Sequence, residues 1–176
     1  MSLLRFLGLG SDAAGRRAEP ASLVELGARL ESMEPTEARL AAAFAYLLAR
    51  VAGADLRTEE SEEAAIAERL STFGGLTEET AAVLAGAAIH VTDAHGATDD
   101  HLVARTFRDM TGEDERLRLL RCLYAVAAAD ETITTVEDNE IFEIASAIGV
   151  RRTDVVAIRS EWKQFLGTLK ALPSER

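Results

Sequence analysis

Leu40, Phe44, Leu47, Leu48 and Val51 recur at i, i+4, i+7, i+8 and i+11. That spacing is one stripe of a helix, which begins near Pro35 and runs to about Ala54. After a turn at Asp55–Thr58, Ile66, Leu70 and Phe73 mark a second helix over Glu59–Phe73, stopped by Gly74-Gly75. Thr77 caps a third, to about Ala94, and a short helix over Asp99–Met110 follows Gly96 as a connector. Thr111, with Asp114 three residues on, reads as the N-cap of the next helix, which packs through Leu119, Leu120, Leu123, Val126 and Ala127. The turn Asp130–Ile133 leads to a helix with Ile141, Ile144, Ala145 and Ile148 on one face, ended by Gly149. A last helix over Thr153–Leu169 is predicted to bury Val156, Trp162 and Phe165. Upstream, Pro20 opens a weak helix to about Met33, and residues 1–19 read as a flexible tail broken by Gly8, Gly10 and Gly15. No stretch alternates as an exposed strand does. The pattern predicts an all-α fold, a compact bundle of seven to eight helices in a single domain over residues 20–172.

The pattern also repeats. Phe44–Gly74 aligns with Leu119–Gly149 at a constant offset of 75 residues without a gap. Identical pairs include Leu48/Leu123, Val51/Val126, Ala52/Ala127, Ile66/Ile141 and Gly74/Gly149, positions a helical hairpin used twice needs for packing and termination. Leu48, Leu123, Ile66, Leu70, Ile141 and Ile148 are therefore expected in the core. Two further identities are acids beside the inter-helix turn, Asp55/Asp130 and Glu62/Glu137.

Composition narrows the partners. The chain has 176 residues, is 48% hydrophobic and carries a net charge of −11. A phosphate backbone or an anionic membrane surface needs basic protein surface, so nucleic acid and lipid headgroups are disfavoured and cations or a basic protein partner are favoured. No apolar run is long enough to span a bilayer, and Leu3, Leu4, Phe6 and Leu7 are too few for a signal-peptide core. They read as a frayed tail, with a short amphipathic membrane contact as the alternative. Cys122 is the sole cysteine, so no intrachain disulfide forms, and a reducing, cytoplasmic setting is expected. Its apolar neighbours mark it as a buried structural thiol.

The turn acids invite a calcium test. An EF-hand loop needs oxygen ligands at positions 1, 3 and 5, Gly at 6 and Glu at 12. Counting from Asp55, these positions reach Arg57, Glu60 and Ile66; from Asp130 they reach Thr132, Thr135 and Ile141. Both fail. A looser carboxylate site survives: Asp55 with Glu62 and Glu63, and Asp130 with Glu137 and Asp138, would suit a hard divalent cation, Ca²⁺, Mg²⁺ or Mn²⁺. The competing reading is structural. Acids in a first turn complement the helix dipole, Thr134 with Glu137 reads as a capping box, and each Asp can accept turn amides. Spacing alone leaves both open. The acid run Glu59, Glu60, Glu62 and Glu63 is by default a solvated helix start. His90, His95 and His101 lie close in sequence with Asp93, Asp99 and Asp100, but no metal-ligand spacing organises them, and a solvated connector is the simpler reading. No nucleophile motif, phosphate loop or Cys–His pairing is present, so no catalytic residue is assigned and the chain is expected not to be an enzyme.

The segments LLARVAGAD…TEESEEAAIAERLSTFGGLTEE and CLYAVAAADETITTVEDNEIFEIASAIGV, with the connector HVTDAHGATDDHLVARTFRDMTGEDERLRLL, resemble the tellurite-resistance TerB-like domain family over about Ser22–Leu169. The shared motif is an A-D-G-x-[IV]-[ST]-x-x-E turn at each hairpin. The resemblance implies a compact helical fold with pseudo-twofold repeats and a divalent-cation site built from turn acids. It also implies a link to tellurite and stress response, and a related domain occurs in a membrane-anchored DnaJ-like co-chaperone. Carried over, the motif aspartates fall on Asp55 and Asp130 and the glutamates on Glu62 and Glu137. The motif glycine is replaced by Leu56 and Glu131, and the acid often found next is replaced by Arg57 and Thr132. Arg57 beside Asp55 opposes a cation there, so the second hairpin is the better site, with help from Asp138 or Glu131. No His-Pro-Asp tripeptide is present, so no J-domain activity is carried. The expectation is a non-enzymatic TerB-like module that binds a divalent cation weakly in a stress-response or scaffold role. The alternative is a protein-interaction module with an acidic docking face and no metal.

Overall fold

A computed structural model describes residue 30 and residues 33–54, 60–95 and 100–167. The expected tail over residues 1–19, most of the expected first helix, the Asp55–Thr58 turn and the chain after residue 167 lie outside the described residues.

Seven α-helices are found among the described residues, in the order α1 Pro35–Ala52, α2 Glu60–Gly74, α3 Glu78–His95, α4 Asp100–Met110, α5 Glu113–Ala127, α6 Thr135–Ala147 and α7 Arg152–Glu161. The all-α expectation is met. α1 starts where Pro35 needs no amide partner and where the Glu34 carboxylate accepts the N–H groups of Thr36 at 2.8 Å and Glu37 at 3.3 Å. α1 is the axis of the bundle and packs against α2, α3, α4, α5 and α6. Residues 41–49 are buried without a break, so here the helix is covered on every side rather than along one stripe. Ala41, Ala42, Ala43, Ala45 and Ala49 make this work, since small side chains let several helices approach one axis.

The two aligned segments each carry two helices, and several of the paired apolar positions are buried in both, although Tyr46 is buried where its counterpart Arg121 is exposed. Leu48 and Leu123, Val51 and Val126, and Ile66 and Ile141 are all fully buried, as are Leu70 and Ile148. The copies part at their ends. α6 stops at Ala147 and turns at Gly149, which has φ +78°; α2 runs on to Gly74 and turns at Gly75, with φ +66°. Only glycine holds that left-handed conformation without a Cβ penalty, so the terminating glycine is one register later in the first copy. Phe73, expected on the core face, sits on this extra length and is 41% exposed, with the Arg118 guanidinium 5.8 Å from its ring centroid.

Two other expectations need correction. Thr111 is not the N-cap of α5. Its hydroxyl donates to the Phe107 carbonyl at 2.7 Å and closes α4, while Gly112 is the cap and its N–H donates to the Glu115 carboxylate at 2.7 Å. The last helix ends at Glu161 and not near Leu169. Its buried stripe is Val155 and Ile158, three apart, which leaves Val156 half exposed. After Trp162 the chain turns back onto the second hairpin: the Ile133 N–H donates to the Phe165 carbonyl at 2.7 Å, and the Gly167 N–H donates to the Ile133 carbonyl at 2.9 Å. Backbone groups in the 130–134 turn thus gain partners that a continued helix would have denied them.

Candidate functional site

The second turn is the described end of the paired-acid motif. Asp130 follows the end of α5 and is exposed, and its Oδ1 accepts the Thr132 N–H at 2.9 Å. Glu131 has φ +70°, the only non-glycine residue in the left-handed region among the described residues. It occupies the motif glycine position, so the backbone keeps the glycine conformation although the residue has changed. Thr134 then caps α6. Its Oγ1 accepts the Glu137 N–H at 3.2 Å, and the Glu137 Oε2 accepts the Thr134 N–H at 2.7 Å. This is the capping box read from the sequence, closed in both directions.

Glu137 is 4% exposed. In the first copy Glu62 has the same place, third residue of its helix, and the same 4% exposure. A glutamate at this depth is tolerated only with hydrogen-bond partners. The neighbouring Asp138 is committed elsewhere. Arg159 of α7 grips it at 2.7 and 2.9 Å, and the Tyr124 hydroxyl donates to it at 3.2 Å. Burial first, then the Asp138 charge, pushes the Tyr124 phenol well above its ordinary value. The bond to Asp138 raises the Arg159 guanidinium further.

The fit of a divalent cation can be judged here. Of the second-turn acids, Glu137 spends one oxygen on a cap and Asp138 faces a guanidinium. Among the described residues no three His, Cys, Asp or Glu side chains converge as a ligand set. Asp130 presents an exposed carboxylate oriented by the Thr132 amide. Asp55 lies outside the described residues. Of the histidines, His90 and His101 are exposed.

Sequence reasoning missed a polar cluster on α1. Arg50, within the buried face of α1, donates from Nε to Asp100 at 3.1 Å and also pairs with Glu140 of α6. The Tyr46 hydroxyl donates to Asp100 at 2.8 Å. This cluster ties α1, α4 and α6 together. Its signal was available: Arg50 is the only charge between Leu40 and Ala54. Asp100, read as a solvated connector residue, is instead its acceptor. Burial, reinforced by Asp100, pushes the Glu140 carboxyl above 4.5 against the opposing pull of Arg50. A raised folded-state value favours the protonated native state. Its contribution to stability is complete below the ordinary value of 4.5 and is lost as pH rises through the folded value. Glu140→Gln should flatten the fall in stability just above pH 4.5, measured by urea unfolding at a series of pH values; an unchanged slope would mean that Glu140 is not the titrating group.

Cys122 is 2% exposed, as expected, and burial pushes its thiol up to about 11 although Arg69 and Arg118 pull the other way.

The geometry defines a class: an all-helical module packed around one buried helix, α1, with an acid-capped turn ahead of α6. The family model of Tellurite resistance protein TerB matches residues 39–160, more than half of the chain, and the chain belongs to that family. No curated protein and no solved structure matches it.

Proposed function

We propose that this chain is a non-enzymatic TerB-family module that works by docking a basic protein partner, its turn acids serving first as helix caps. The capping box of Thr134 with the buried Glu137 carries the reading, because it gives that buried side chain a hydrogen-bond role without any ligand. Two polar groupings inside the fold are paired across helices, Arg50 with Asp100 and Glu140 and Arg159 with Asp138, which supports structural roles for these residues. A groove of about 300 Å³ supports docking. Its walls include Leu40, Phe44, Phe73 and Phe107, and two exposed acids, Glu37 and Glu115, line it with one exposed cation, Arg118. An apolar anchor flanked by Lys or Arg would complement it, in keeping with the net charge of −11. A stress-response role rests on family membership, since the family description carries tellurite resistance.

A second reading keeps a weak Ca²⁺, Mg²⁺ or Mn²⁺ site at the second turn. The exposed Asp130, its carboxylate oriented by the Thr132 amide, favours it. Thermal melts with each cation separate the two. The capping account expects no shift at millimolar cation, because a ligand of the native state raises apparent stability and a cap does not need one. A shift that disappears in Asp130→Asn would assign the ion to Asp130 and overturn the metal-free reading.

A further inference from the structure

A second cleft, of about 520 Å³, lies against the outer face of α5. Leu117, Arg118, Arg121, Cys122 and Ala125 recur at i, i+1, i+4, i+5 and i+8 and present one side of that helix. Arg69 and Phe73, four apart on α2, form the opposing wall, and Trp162 at the end of α7 completes the lining. The cleft is unusual for this chain. Three arginines line it with a single carboxylate, Asp114, in a protein whose net charge is −11.

Those arginines are poorly neutralised. Arg121 reaches Glu161 only at 3.8 Å, and both side chains are half exposed, so the pair is screened by water. Arg69 touches its sequence neighbour Glu68 at 3.3 Å, and that carboxylate is 63% exposed. Arg118 stacks on Phe73 and has no carboxylate partner among the described residues. Two donors on the lining are buried without any acceptor, the Nε of Arg69 and the Nε1 of Trp162. Buried N–H groups in native proteins nearly always have partners, and no acceptor for either of these two is found among the described residues. Arg69 and Arg118 stand on different helices, α2 and α5, and line the cleft together with Cys122.

We propose that this cleft binds a small organic anion, its carboxylate or phosphate head held by Arg69 and Arg118 and its apolar body lying against Trp162 and Phe73. Each feature has a use in that complex. Guanidinium forks match planar oxyanions, and Arg69 and Arg118 present two guanidiniums to one cleft. Trp162 offers an apolar ring face with an N–H at its edge. The volume falls within the range of small-molecule sites, roughly 300–1,000 Å³. A bare inorganic ion would satisfy the guanidiniums but leave the aromatic wall unused.

Trp162 is the single tryptophan of the chain, so its emission reports on the cleft directly. The test titrates the full chain with octanoate, with octanol and with inorganic phosphate, following that emission. The proposal expects a saturable change with octanoate, and half-saturation at least about tenfold higher for the other two, the loss of one charge-assisted contact being worth about that factor. Arg69→Gln with Arg118→Gln should weaken octanoate about tenfold at an unchanged melting temperature. Trp162→Phe, followed by calorimetry, should keep charge selectivity with reduced affinity. No saturable change with octanoate, equal saturation by octanoate and octanol, or undiminished octanoate binding in the double arginine variant would overturn the proposal.

Discussion

Replacing Arg50 by Ala should destabilise the protein by about 3–5 kcal/mol, the usual loss when one partner of a buried ion pair is removed. The Arg50 side chain is 14% exposed, and the carboxylates it serves, Asp100 and Glu140, are 17% and 24% exposed. Without the guanidinium, two acids from different helices face each other across a partly buried space, and α4 and α6 lose their polar tie to the axis. Desolvation already pushes Glu140 up, so this site has little tolerance for losing its cation. Removing one carboxylate as well should relieve the damage. Arg50→Ala with Glu140→Gln is expected to be more stable than Arg50→Ala alone. Urea unfolding of both variants checks this; equal stability would mean that the loss is of packing and not of charge balance.

Ile141→Ala should cost about 2–4 kcal/mol. Ile141 is fully buried on α6 and its repeat partner Ile66 is fully buried on α2. Truncation removes three carbons from a close-packed interior that also holds Leu123, Val126 and Ile144, and leaves a cavity behind. Ile66→Ala should fall in the same range. A loss under about 0.5 kcal/mol at either position would mean that the side chain does not face the core.

The sequence carried the helices and most of the core because helical periodicity is local and repeats itself. Leu48, Leu123, Ile66, Leu70, Ile141 and Ile148 were all legible from spacing, and all are buried. The capping box at Thr134 was legible for the same reason, since its parts lie three residues apart. Long-range polar partners were not. Nothing near Arg50 in sequence names Asp100 or Glu140, and nothing near Asp138 names Arg159. Val156 failed because adjacent Val155 and Val156 offer two candidate faces, and only the neighbour that the helix meets decides between them. The short α7 failed because the chain found backbone partners at Ile133, a pairing that no periodicity announces. The Arg-lined cleft was hidden likewise. Arg118 and Arg121 read as the polar side of α5 until α2 and Trp162 are seen opposite them.

The claim that the turn glutamates are caps stands or falls on Glu137. Glutamine keeps a side-chain oxygen for the Thr134 N–H, and capping boxes accept either residue, so Glu137→Gln should stay within about 1 kcal/mol of wild type while Glu137→Ala loses about 1–2 kcal/mol. The claim also predicts that Ca²⁺, Mg²⁺ and Mn²⁺ leave the unfolding midpoints of all three proteins unmoved. It would be contradicted if Glu137→Gln were as damaging as Glu137→Ala and also abolished a cation-dependent gain in stability seen in the wild type.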